Sequence, residues 1–134
     1  MAGRFVDTNV LLYLASGDPQ KADRAETVLA QGGTISVQVL NETANVLRRK
    51  MRMSWPDTHV FLDMIRALLT VEPVTVATHE KGLVVSERYG LSLYDAMIVA
   101  AALLAGCDTL LSEDMQDGLV VDDRLRIVNP FRQP

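Results

Sequence analysis

The sequence predicts an α/β fold in which a mainly parallel sheet is covered by helices, and three observations predict it. Short strand-like runs recur along the chain: Arg4-Phe5-Val6, Thr34-Ile35-Ser36 and Thr109-Leu110-Leu111. Longer stretches with helical apolar spacing and clear start and stop residues separate them. The order then reads β-α-α-β-α-α-β-α-α-β, and strands alternating with helices default to parallel pairing through right-handed crossovers.

The elements follow in order. After the first strand, Asn9 to Leu14 reads as a brief helical turn. Asp18 before Pro19 is an N-cap followed by proline at the first helical position, where the missing N–H costs nothing. That helix runs to about Gln31 and stops at Gly32-Gly33. Thr34-Ile35-Ser36 is the second strand, and Val37 to Lys50 a helix with Leu40, Ala44 and Leu47 on one face. Ser54, with Asp57 three residues on, starts the next helix, whose apolar stripe holds Phe61, Ile65, Leu68 and Leu69. A third strand is expected within Val71 to Val76, at an edge because Pro73 interrupts it. Thr78 caps a helix ending at Gly90, and Ser92 one ending at Gly106. Ile127-Val128 makes a short fifth strand.

A chain of 134 residues fits one domain, 1–134. It carries no run near the ~20 apolar residues of a membrane span, and no basic-then-apolar leader, so a cytoplasmic protein without a membrane partner is expected. Cys107 is the single cysteine, which excludes an internal disulfide or a thiolate zinc site. The net charge of −4 argues against nucleic-acid binding by bulk charge, but not against a local basic patch working with metal ions.

The chemistry rests on carboxylates. In open α/β sheets ligands bind beyond the carboxyl ends of the strands. Asp7 ends the first strand, and Asp114 follows the fourth after Ser112 and Glu113. Asp95 shares a helix face with Ile98, Val99 and Ala102, the side a helix buries. A carboxylate there is costly unless paired or bound to metal, although a first-turn aspartate also suits the helix dipole. Glu42 lies between Val39 and Val46 on helical spacing; alone it reads as an ordinary solvated glutamate. Thr8 and Asn9 either cap the following turn or orient Asp7. Clustered carboxylates repel unless a cation neutralises them, and all-oxygen sites select Mg²⁺ or Mn²⁺. Arg48, Arg49, Lys50 and Arg52 form the densest basic run, which suits either nucleic-acid phosphates or a helix C-terminus. Arg124, Arg126 and Arg132 form a looser second group.

Four segments, Phe5-Val6-Asp7-Thr8-Asn9, Asn41-Glu42, Tyr94-Asp95-Ala96-Met97-Ile98-Val99-Ala100 and Leu111-Ser112-Glu113-Asp114, resemble the four acidic motifs of PIN domains in order and spacing across nearly the whole chain. Within that family the chain is most similar to the VapC toxins of toxin–antitoxin pairs. The resemblance implies a three-layer α/β/α sandwich with a mainly parallel sheet of four to five strands. It implies that Asp7, Glu42, Asp95 and Asp114 surround one or two Mg²⁺ or Mn²⁺ ions and cleave RNA, with Thr8, Asn9 and Ser112 in support. It also implies a homodimer silenced by a cognate antitoxin. One departure is the run Asp114-Met115-Gln116-Asp117-Gly118, where Gly118 replaces a common aromatic and leaves Asp117 as an accessory acid or a solvated loop charge.

Other readings fit less well. A phosphotransfer receiver domain needs an acidic pair after its first strand and a late lysine; here Asp7 stands alone, Asp57 opens a helix, and no lysine follows Lys81. An Asp-x-Asp phosphatase fails at Asn9. The remaining alternative is a catalytically silent PIN-like module that binds without cutting.

Overall fold

A computed structural model describes residues 3–132. The first strand, β1 (Arg4–Val6), is extended because Phe5 and Val6 bury both faces of a central strand. A helix α1 (Thr8–Leu12) and a 3-10 turn over Tyr13–Ala15 follow. Helix α2 (Pro19–Ala30) begins where expected, with Asp18 accepting from the Lys21 N–H. Strand β2 (Thr34–Ser36) leads directly into α3 (Val37–Arg49), because Ser36 is both the last strand residue and the N-cap. The buried stripe of α3 is Val39, Thr43 and Leu47 rather than Leu40, Ala44 and Leu47; the Thr43 hydroxyl is satisfied inside the helix by the Val39 carbonyl, so it can be buried. Helix α4 (Trp55–Leu68) is capped by Ser54. It buries Thr58 and Ile65, and Leu68, expected on the apolar stripe, is exposed.

Strand β3 (Thr70–Glu72) ends before Pro73 instead of continuing to Val76. Proline has no N–H to give to a ladder, so the strand stops and helix α5 (Val76–Tyr89) starts soon after. Its N-cap is Thr75, not Thr78: the two side chains exchange hydrogen bonds with each other's backbone N–H, with Thr78 on the helical side. Gly90 ends it in the left-handed conformation. Helix α6 (Leu93–Leu104) is capped by Ser92 and buries every residue from Ala96 to Leu103, as fits a helix that packs against β2, β4 and α5 together.

Strand β4 (Thr109–Leu111) is followed by β5 (Val120–Val121) and β6 (Leu125–Val128). The sheet therefore has six strands, ordered β3-β2-β1-β4-β6-β5, one more than the four to five expected. All pairings are parallel except β5 with β6. That hairpin turns on Asp122 and Asp123, both at φ 54°, with the Arg124 N–H donating to the Val121 carbonyl at 3.1 Å. Two central residues at positive φ match the right-handed twist of the flanking strands, and an Asp-Asp pair at such a turn carries none of the usual glycine signal. Asp122 is held there by Lys81 and by the Tyr89 hydroxyl. Among the described residues no helix is long and apolar enough to cross a membrane.

This topology positions the site. From β1 the chain builds outward to β2 and β3 on one side, and later to β4, β6 and β5 on the other. The strand order reverses between β1 and β4, and the crevice beyond that switch point is where such sheets bind ligands. Val6 pairs with Leu111, and the Asp7 N–H donates to the Leu111 carbonyl at 2.9 Å. The residues leaving both strands thus emerge side by side.

Candidate active site

Asp7 is the N-cap of α1 and is only 5% exposed. Its two carboxylate oxygens are held separately. Oδ1 accepts from the Thr8 N–H at 2.7 Å; Oδ2 accepts from the Ser112 hydroxyl at 2.7 Å and from the Asn9 amide at 3.1 Å. Burial pushes the Asp7 pKa up to about 6, against the opposing pull of the Ser112 and Thr8 hydrogen bonds, and the nearby Asp95 and Glu42 charges push it the same way.

Asn9 ties the two strand ends together. Its Nδ2 lies within hydrogen-bond distance of Asp7, of Ser112 Oγ at 3.4 Å and of Asp114 Oδ2 at 3.3 Å, while its Oδ1 accepts from the Glu113 N–H at 3.0 Å. Fully buried Ser112 closes the turn after β4, accepting from the N–H groups of Asp114 and Met115 at 3.2 and 3.3 Å. Thr8 links the second acid, donating through Oγ1 to Glu42 Oε1 at 2.7 Å; the Gln38 amide donates to Glu42 Oε2 at 3.0 Å. Asp95 sits in the first turn of α6, its N–H capped by Ser92. Burial first, then the charges of Asp114 and Glu42, raise its pKa despite the Ser92 hydrogen bond.

Asp7, Thr8, Asn9, Glu42, Asn45, Lys50, Asp95 and Asp114 line one cavity of about 370 Å³. All four acids singled out in the sequence are brought together, from β1, α3, α6 and the loop after β4. Among the described residues none of the four forms an ion pair. As they stand, no three acidic, histidine or cysteine side chains among those residues converge closely enough to hold a metal ion. Four carboxylates that share a cavity with Lys50 alone, and without an ion pair to it, repel one another, and the Thr8 and Gln38 hydrogen bonds fix Glu42 at its own wall. The donor set itself is all oxygen and unneutralised, the chemistry that suits a hard divalent cation.

Two acids close to Asp114 in sequence lie elsewhere. Asp117 does not line the cavity: it accepts from the Asn129 N–H at 2.8 Å and pairs with Arg132 at 2.9 Å, which fastens the chain after β6. Glu113 turns away toward Lys21 and the Tyr13 hydroxyl. In the basic run, Lys50 reaches the cavity, whereas Arg48 lies over the Trp55 ring at 4.1 Å and donates to the Met53 carbonyl. Gln38 and Asn45 were not anticipated. Their signal was present: positions 38, 42, 45 and 49 repeat at helical spacing, so a functional Glu42 implicates its own helix face.

The comparisons agree with this architecture. The model of the PIN domain matches residues 4–116, and the chain belongs to that family. A search of curated proteins finds no match. Among solved structures, the chain is similar to one from a toxin–antitoxin complex of Klebsiella pneumoniae, at 22% identity and a TM-score of 0.72, over 97% of this chain and 99% of that one. A sarcin–ricin-loop-cleaving VapC toxin of Mycobacterium tuberculosis aligns at 24% identity and a TM-score of 0.61, over 80% and 86% of the two chains. A chain of a VapBC complex from Rickettsia felis bound to promoter DNA aligns at 18% identity and a TM-score of 0.62, over 83% and 87%.

Proposed function

We propose that this chain is a Mg²⁺- or Mn²⁺-dependent ribonuclease and the toxin of a toxin–antitoxin pair. The observation that carries the reading is that Asp7, Glu42, Asp95 and Asp114 line one cavity at the sheet's switch point, with none of them in an ion pair among the described residues. Those four side chains would hold the ion. A divalent ion in such a site supplies an activated water and neutralises charge on the phosphodiester.

The chain's own residues do the rest. Thr8, Asn9 and Ser112 orient both oxygens of Asp7 and keep them from rotating out of the cavity. Asn9 and Ser112 couple Asp7 to Asp114, and Thr8 couples Asp7 to Glu42, so the acids act as one unit. Lys50 at the cavity wall offsets the repulsion an RNA phosphate meets on approaching a carboxylate cluster. Exposed Arg49 and Arg52 extend that positive edge.

The test is cleavage of mixed RNA by purified protein with Mg²⁺, with Mn²⁺ and with chelator, beside Asp7→Asn. Cleavage that needs metal and Asp7 supports the reading. RNA binding without cleavage under every metal condition defines a silent binding module instead.

The unpaired carboxylates also suit an antitoxin tail that places an arginine in the cavity, an occupant that would exclude metal. A co-structure with the tail distant from Asp7, Asp95 and Asp114 would refute that. The exposed apolar side chains Val60, Met64 and Leu68 on α4 and Val76, Leu83 and Val84 on α5 suit pairing with a second copy. Light scattering at micromolar concentration, without antitoxin, should give the mass of a dimer.

A further inference from the structure

A second hollow of about 440 Å³ adjoins the carboxylate cavity, and Asn45 lines both. Its other walls are Ala44, Arg48, Arg49 and Trp55. Trp55 is 58% exposed at the start of α4, an unusual place for a large aromatic that packs against no core. A neighbouring side chain packs on it. The Arg48 guanidinium lies over its ring at 4.1 Å, anchored by a hydrogen bond to the Met53 carbonyl, and the Arg48 Nε is buried without a partner. His59 stands one helical turn on, 6.1 Å from the indole centre. Exposed Arg49 lines the hollow, exposed Lys50 lines the adjoining cavity and exposed Arg52 follows two residues on, and among the described residues none of the three forms an ion pair; exposed Asp57 is the acid on the first turn of α4.

An exposed aromatic flanked by unneutralised cations is the combination that binds unpaired nucleic acid: the ring stacks a base of any identity, and the cations take the phosphates. A hollow on the other side of Glu42, about 470 Å³ between α3 and α6 at Tyr94, is lined by Glu42 and by no lysine or arginine. Beside the carboxylate cavity, the lysine and arginine side chains among the lining residues, Lys50, Arg48 and Arg49, all come from α3 and its C-terminal end, so a polyanion reaching the cavity of a chain of net charge −4 finds counter-charge on that side. We infer that Trp55 is a stacking platform for an unpaired RNA base, on a strand that runs from the carboxylate cavity past Asn45 to the C-terminal end of α3. This deepens the ribonuclease reading and rests on it for the placement of the strand's other end.

Trp55 is the sole tryptophan, so its fluorescence reports the site directly. The probe is a ten-nucleotide single-stranded RNA of mixed sequence, added to wild-type protein in chelator and to Asp7→Asn protein in Mg²⁺, with affinity followed in parallel by anisotropy of the labelled RNA. Saturable quenching is expected, with much weaker quenching by a duplex of the same sequence, whose bases are already stacked. Trp55→Ala should weaken binding roughly 5- to 150-fold. Trp55→Phe should keep most of the affinity, and Arg49→Ala should lower the salt dependence by about one counterion. Any of these results overturns the inference: no RNA binding in either condition, binding that leaves the fluorescence unchanged, or a folded Trp55→Ala protein with wild-type affinity. Shielding of Trp55 by a protein partner but not by RNA also overturns it. No cleavage enters these measurements. A protein that stacks RNA on Trp55 but never cuts defeats the ribonuclease reading alone, and one that cuts while Trp55 stays unquenched defeats this one alone.

Discussion

Replacing Asp7 with asparagine should stabilise the metal-free protein while abolishing cleavage. Asp7 is buried, and its pKa rises from the usual 3.8 to about 6. At about 1.4 kcal/mol per pKa unit, keeping this carboxylate ionised in the folded state above pH 6 costs about 3 kcal/mol. The folded protein binds this proton more tightly than the unfolded chain does. Between pH 3.8 and about 6 it therefore holds more protons, and this group's contribution to stability falls as pH rises through that window. Asparagine removes the penalty but accepts through one oxygen only. The Thr8 N–H and the Ser112 hydroxyl now address two oxygens, so one bond worth about 1 kcal/mol is lost or reversed. The net gain at pH 7.5 is about 2 kcal/mol, or roughly 5–8 °C in Tm for a domain of this size. The assay is thermal melting of metal-stripped wild type and variant from pH 4 to 8. The stability difference should favour the variant at pH 7.5 and vanish or reverse near pH 4. Added Mg²⁺ should raise the wild-type Tm by ligand linkage and leave the variant unmoved. A metal-free variant that melts below wild type at pH 7.5, or a difference independent of pH, would falsify the picture of an unneutralised buried charge.

Three further outcomes are expected. Asp95→Asn should leave the metal-free protein no less stable, because burial and its acidic neighbours already disfavour the charge, while metal affinity by calorimetry and RNA cleavage fall sharply. If Asp95 served only the helix dipole, the variant would instead lose about 0.3–1 kcal/mol and still cut normally. Ser112→Ala strips a partner from Asp7 and from the N–H groups of Asp114 and Met115, so it should cost about 1–3 kcal/mol in a urea melt and reduce cleavage as well. Arg4→Met provides the contrast: Arg4 donates to the carbonyls of Val28 at 3.0 Å and Gly32 at 2.9 Å at the end of α2, beyond the opposite end of β1 from Asp7. Its loss should cost about 1–3 kcal/mol while the remaining folded protein cleaves RNA at the wild-type rate.

Much of this molecule is determined locally, and those parts are legible in the chain. Asp18-Pro19, Ser54 and Ser92 start helices because their side chains accept from N–H groups three residues on, whatever the rest of the protein does. Phe5-Val6 and Leu110-Leu111 read as strands because both faces are covered, and the acids directly after them land at the sheet's carboxyl edge by connectivity alone. The errors fall where tertiary contacts outvote local pattern. The β5–β6 turn takes positive φ on two aspartates because Lys81 and Tyr89 hold Asp122 there. Leu68 lies on an apolar stripe in sequence, yet among the described residues it stays exposed. Asp117, an accessory acid or a solvated loop charge on sequence alone, is drawn to the end of β6 by a backbone N–H and Arg132. Spacing placed Asp7 and Asp114 at strand ends and Asp95 on a buried helix face, where a carboxylate is costly and conspicuous, whereas Glu42 stood out only through the resemblance to PIN-domain motifs. Only the folded chain decided that Asn9 and Ser112 lock Asp7 to Asp114, that Thr8 and Gln38 hold Glu42 at its wall, and that Arg48 lies on Trp55 rather than reaching the cavity. Those choices are made between residues far apart in sequence, where hydrogen-bond geometry and packing decide among partners that local periodicity cannot rank.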